Sequence, residues 1–213
     1  MPKIVDHDER RLELVDATWR IIARLGIEGA TMREIAIEAG FANGALKPYF
    51  PTKDVLLAFA FNHVFNRTNA RVAAVTAGKS GLPALRDFCR EVLPLDEERV
   101  NEARIVIPFW QKAVNDEEKS AIHRASMDQW HHMILGYLGQ ARKNGDVTTS
   151  VPDDAIAGQL LNMLLGAQIT AALAPPAPTA EGPAADRPAA GQPLSAALVA
   201  QLEGYLGLLG PAH

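Results

Sequence analysis

Apolar residues recur along this chain at intervals of three and four, and the alternating Val, Ile and Thr runs that mark strands are nearly absent. The pattern predicts an all-α protein. A first helix is expected from about residue 8 to 25, with Leu12, Val15, Trp19, Ile22 and Ala23 on one face and Arg10, Glu13, Asp16 and Arg20 largely opposite. Gly26 is expected to stop it. Thr31-Met-Arg-Glu34 reads as a capping box, opening a short helix that ends by Gly40. Another short helix is expected over 43–50, then a longer one over 52–75, with Gly78, Gly81 and Pro83 as punctuation. Helices near 82–93 and 97–114 follow, interrupted by Pro94 and Pro108. Asn115-Asp-Glu-Glu118 resembles a second capping box, for a helix to about 143 closed by Asn144-Gly145. The last helices are expected near 153–173 and 194–209. Between them, 174–193 holds six of the 14 prolines and no apolar side chain larger than Ala or Pro, which predicts a flexible or extended loop.

The segment from Thr31 to Phe50 has helix-turn-helix spacing. Ile35 and Ala36 suit a close helix contact, Gly40 suits the turn, and Leu46 and Tyr49 return to the inner face. Ala42, Asn43, Gly44, Ala45 and Lys47 are then left to meet a major groove. Asn43 suits an adenine edge or a phosphate, and Ala45 a thymine methyl. Lys47 and Lys53 carry positive charge. Thr31 and Arg33 stand at a helix start, where free N–H groups favour phosphate. Tyr49 and Thr52 are hydroxyl donors to phosphate oxygens. Spacing alone leaves open a helical enzyme or a protein-binding adaptor in which this hairpin is incidental.

The run from Gly29 to Leu57 favours DNA binding over those alternatives without removing them. Thr31, Ile35-Ala36, Gly40, Gly44-Ala45-Leu46, Tyr49-Phe50 and Thr52-Lys53-Asp54 together resemble the DNA-binding domain of the TetR family of transcriptional regulators. The Gly-Ala-Leu-Lys-x-Tyr-Phe form is similar to the choline-responsive BetI subgroup, as are Phe109-Trp110 and Trp130 more loosely. Three departures stand out. Ala42 replaces the usual capping Ser or Thr, a loss of about 0.5–2 kcal/mol. Lys47 replaces the commonest Tyr. Pro48 lies inside the recognition helix and predicts a short or distorted one. The resemblance implies a ligand-responsive regulator, most often a repressor, and not an enzyme. It implies an N-terminal three-helix domain over 1–53, the start of a connecting helix to about 75, and a C-terminal antiparallel bundle over 54–213. That bundle would hold an effector and form a homodimer.

Composition adds one objection and its answer. The 213 residues carry 21 Lys and Arg against 25 Asp and Glu, a formal charge of −4 that argues against a nucleic-acid binder. Residues 1–53, however, hold eight basic and eight acidic residues, so the whole excess of acid lies in 54–213. Local sign sets the phosphate term. Between Ala39 and Lys53 there is no acid and there are two lysines. The single cysteine, Cys89, excludes an internal disulfide and a cysteine-built zinc site. No uninterrupted apolar run of spanning length occurs and the N-terminus is polar, so the expectation is a soluble, cytoplasmic protein without a membrane partner.

The last two predicted helices are apolar on more than one side, which suits burial on two sides. Leu160, Leu164, Ile169, Leu198, Leu202 and Leu206 are the expected dimer contacts. Glycines and alanines beside them would allow close approach in a two-fold four-helix interface. The expected effector pocket draws on Phe88, Phe109, Trp110, Met127, Trp130, His131, Tyr137, Met163 and Gln168. Trp110, Trp130 and Tyr137 would suit a cation box. His131 and His132 cannot share a helix face, and His132 is expected to pair with Asp128. No catalytic, metal or cofactor site is expected.

Overall fold

The computed structural model describes residues 7–42, 46–174 and 194–211. Among them eight helices occur: α1 (His7–Gly29), α2 (Met32–Glu38), α3 (Lys53–Thr76), α4 (Gly81–Val92), α5 (Glu97–Ala113), α6 (Glu117–Asn144), α7 (Asp153–Leu173) and α8 (Leu194–Gly207). The expected loop over 174–193 falls outside the described residues beyond Ala174.

Three details of the helices differ from the pattern reading. Gly26 does not stop α1, which continues to Gly29; one glycine costs about 1 kcal/mol in a helix, an amount a packed helix absorbs. Pro108 does not interrupt α5 but sits inside it. The start of α6 also shifts by one residue: Asp116 is the cap, accepting the Lys119 N–H at 3.0 Å.

Packing divides the chain into two compact units. The first joins 1–67 with 104–123, and the second joins 68–103 with 124–213. Helices α3, α5 and α6 therefore each contribute to both.

In the first unit, α1 and α2 pack Leu14, Val15, Ile21, Ile35 and Ala36 together with Leu46, Phe50, Leu57, Phe61, Ile105, Val106 and Phe109. The side chains of Trp19 and Ala23 lie outside the description. Phe61 stacks on Phe109 at 4.2 Å between ring centres. Arg20 of α1 ties to Glu38 of α2 at 2.8 Å. Asp54, in the first turn of α3, faces Lys112 at 3.6 Å and Lys119 at 4.0 Å. The second unit packs Leu85, Phe88, Trp130, Ile134, Leu138, Leu160, Leu164, Leu198, Leu202 and Leu206. Gly81 has a positive φ of 63°, and a side chain there would meet the Ala141 backbone at 3.3 Å, so α4 begins where only glycine fits. Arg142 orders the connection to α7 by donating to Asp153, to the Thr149 carbonyl and to the Val151 carbonyl. By length and composition α7 is apolar enough to cross a membrane; its buried residues, Ile156, Leu160, Leu164 and Gln168 among them, pack within the second unit.

One half-buried titratable group in the first unit makes a prediction. His123 packs against Trp110 at 5.9 Å and Phe61 at 6.4 Å, with Nδ1 buried and, among the described residues, lacking a hydrogen-bond partner. Burial pushes its imidazole pKa below the ordinary value. The unfolded chain then takes up the proton at higher pH than the folded one. Stability falls as pH drops below about 6.5, the unfolded value. Urea denaturation between about pH 7 and 5 should show this loss, and His123→Leu should flatten it. An equal slope in the variant would assign the pH dependence to other groups.

Candidate nucleic-acid interface

The 31–53 region is built from two helix starts and a glycine turn. Thr31 is the N-cap of α2, and its Oγ1 accepts the Glu34 N–H at 3.1 Å. At the other end Gly40 takes φ 73°, the Phe41 N–H reaches the Ala36 carbonyl at 2.8 Å, and the Gly40 N–H reaches Ile37 at 3.1 Å. That is the paired closure of a Schellman motif, which needs a left-handed residue at the turn. Ala42 is exposed. Asn43, Gly44 and Ala45 lie outside the described residues.

Residues 46–49 form turns rather than a helix, with the Tyr49 and Phe50 N–H groups both reaching the Leu46 carbonyl, at 2.9 and 2.8 Å. Pro48 accounts for this: it has no N–H to donate and disfavours helical geometry at Lys47. Leu46 and Phe50 are buried, 2% and 0% exposed, and anchor the segment in the core. Lys47 between them is exposed. Tyr49 is half-buried, edge-on to Phe41 at 5.9 Å. Thr52 then caps α3 by accepting the Val55 N–H at 3.2 Å. A capping hydroxyl uses a lone pair, so the O–H of Thr31 and of Thr52 keeps its proton to donate. Arg33 and Thr52 are exposed and Lys53 half-buried. Among the described residues Arg33 and Lys47 form no ion pair.

The expected effector residues divide between the units. Phe109 and Trp110 belong to the first, where Phe109 is fully buried core and Trp110 meets His123. Met127, Trp130, His131, Tyr137, Met163, Gln168 and Phe88 belong to the second. There Phe88 meets Trp130 at 6.0 Å and Tyr137 at 6.1 Å. Trp130 is 5% exposed and donates its indole N–H to Asn69 at 2.8 Å. His131 faces Asp154 at 3.3 Å, and His132 Nδ1 lies 2.6 Å from the Asp128 backbone carbonyl instead of its carboxylate. A cavity of about 300 Å³ opens beside Leu82, Arg86, Asp146 and Glu203, and none of these effector candidates lines it. Pattern reading missed the buried carboxylate of Glu102, held by Arg71 in a fork of 2.9 and 2.8 Å; neither residue stands out in sequence.

The expected dimer contacts need revision. Leu160, Leu164 and Leu202 are 0% exposed, Leu206 1% and Leu198 5%, so these five spend their surface inside their own chain. Only Ile169, 44% exposed, remains outward, with Leu173 and Leu208 at 79% and 78%. The outward stripe of α7 runs through Ala155, Gln159, Asn162, Gly166, Ile169 and Leu173, and that of α8 through Ala196, Ala200, Gly204 and Leu208. A side chain at Gly158, Gly166, Gly204 or Gly207 would meet nothing within 4 Å.

Comparison with known proteins places the two halves. Residues 14–59 match the family described as bacterial regulatory proteins, tetR family. Residues 83–185 match the BetI-type transcriptional repressor C-terminal family. The chain is 33% identical over 151 residues to the HTH-type transcriptional regulator PksA of Bacillus subtilis, covering 68% of this chain and 73% of that one. It is 27% identical over 148 residues to the regulator BetI of Burkholderia lata, covering 66% and 74%. A transcriptional regulator from Rhodococcus superposes with a TM-score of 0.72 at 27% identity, over 95% of this chain and 99% of that one. A regulator from Saccharomonospora viridis, solved in complex with choline, superposes at 0.70 with 21% identity, over 76% and 85%.

Proposed function

The chain belongs to the TetR family and is a DNA-binding transcriptional regulator rather than an enzyme, and we propose that it works as a homodimeric cytoplasmic repressor released from its operator by a small-molecule effector. The observation that carries the DNA-reading part is the exposed, acid-free stretch around Lys47, clamped to the core by Leu46 and Phe50. Thr31, Arg33, Tyr49, Thr52 and Lys53 supply phosphate contacts. Ala42, Asn43, Gly44, Ala45 and Lys47 face the groove. Functionally, residues 1–53 read DNA and 54–213 sense and dimerise. Part of the latter, 54–67 and 104–123, packs with the reader.

The outward small-residue stripes of α7 and α8 support a two-fold partner, since among the described residues those glycines have no neighbour that explains them. Ile169, Leu173 and Leu208 are the apolar contacts of that face. The effector sits in the second unit against the Phe88, Trp130 and Tyr137 rings, with Met127, His131, Met163 and Gln168 as further contacts. An aromatic-lined site of this kind suits a cation, and choline is the ligand of one solved fold neighbour. An effector releases DNA only by binding the non-DNA-binding state more tightly.

A gel shift on DNA flanking the gene tests the reading. Salt-sensitive, sequence-specific binding is expected. Lys47→Ala and Tyr49→Phe should each weaken it roughly tenfold without lowering the melting temperature. Unchanged affinity in both variants would remove the groove assignment.

A further inference from the structure

Two arginines near the start of α1 reach the aromatic residues that frame the 42–50 segment. The Arg10 guanidinium lies 5.6 Å from the centre of the Phe41 ring, the ring that meets Tyr49. The Arg11 guanidinium lies 5.1 Å from Phe50 and 4.5 Å from Phe59, within cation–π range of both. Arg10 also pairs with Glu13 at 2.5 Å, where both side chains are 44% exposed. A surface pair of that kind exchanges readily for a better anion. Among the described residues Arg11 forms no ion pair, and its Nε–H is buried without an acceptor. A buried orphan donor requires an explanation. Among the described residues the two rings, and no carboxylate, hold the guanidinium in place.

We propose that Arg10 and Arg11 bind the DNA backbone, forming a phosphate contact from α1 beside that of the 42–53 segment. The inference rests on the reading of the chain as a DNA-binding regulator. It answers a deficit within that reading: residues 1–53 are net neutral, and the 39–53 stretch offers only two lysines. Phosphate affinity counts the positive groups that reach the backbone, not the net charge. Arginine matches phosphate bidentately, and a guanidinium already laid on a ring loses less freedom on binding.

The test is the salt dependence of operator binding by the full chain between about 50 and 200 mM salt. Arg10→Gln and Arg11→Gln should each lower the slope of log K against log salt by about 0.9. They should weaken operator and random DNA alike, roughly tenfold at low salt. Arg11→Lys, which keeps the charge, should keep the slope. Arg20→Gln, whose partner is Glu38, should leave it unchanged. If both Gln variants keep the parent slope while Lys47→Ala lowers it, the α1 contact is overturned and the regulator reading stands. A parent protein without salt-dependent operator binding overturns both. Arg10→Gln, at an exposed position, decides the matter if Arg11→Gln does not fold.

Discussion

Phe109→Ala should destabilise the protein by about 3–5 kcal/mol and lower its melting temperature by roughly 10 °C. Phe109 is fully buried, and its ring stacks on Phe61 at 4.2 Å. Truncation removes the transfer energy of the ring and leaves a cavity beside Phe61 in the core cluster that also holds Leu14, Ile35 and Leu57. Because that core carries Leu46 and Phe50, the anchors of the 46–50 turn, operator binding should fall with stability. Phe109→Leu, which refills much of the space, should recover most of both. Denaturant titration checks the first figure. A loss below about 1 kcal/mol would mean that the site collapses around the smaller side chain and that Phe109 is not the keystone of this core.

Glu102→Ala should cost about 3 kcal/mol. The Glu102 side chain is 6% exposed and that of Arg71 28%. Arg71 donates two bonds to Glu102 and one, at 3.2 Å, to Glu91. Removing Glu102 leaves a partly buried guanidinium with two longer bonds, to the Thr68 hydroxyl at 3.3 Å and to Glu91, a carboxylate that Arg99 shares at 3.5 Å. Glu91 and solvent moderate the loss, so the figure lies at the lower end for a broken buried pair. The paired change Arg71→Met with Glu102→Leu should recover most of the stability, because two apolar groups carry no desolvation cost. A double variant no better than Glu102→Ala would show that the fork is stabilising in itself.

Much of this is legible in the amino-acid sequence. The N-cap at Thr31, the glycine turn at Gly40 and the disruption at Pro48 are local chemistry, decided by a hydroxyl, a left-handed residue and a missing N–H. The starts of α3 and α7 follow from punctuation close at hand. Gly26 and Pro108 misled because each costs only what neighbouring packing returns. The exposed positions around Lys47 were readable from the spacing of their buried neighbours, whereas Arg10 and Arg11 looked like ordinary surface charges on an amphipathic helix.

The sequence by itself determined most of the helices, the Thr31 cap and the family, since these depend on neighbours within a few residues or on a contiguous motif. Only the tertiary structure decided which core each apolar face enters. Periodicity says that Phe109 and Leu160 are buried, not what buries them. Phe109 joins the reader's core across more than fifty residues of chain, and Leu160 is consumed inside its own unit. The burial of Arg71 and Glu102 as a pair depends likewise on α3 and α5 meeting, a contact between distant segments that no local spacing encodes.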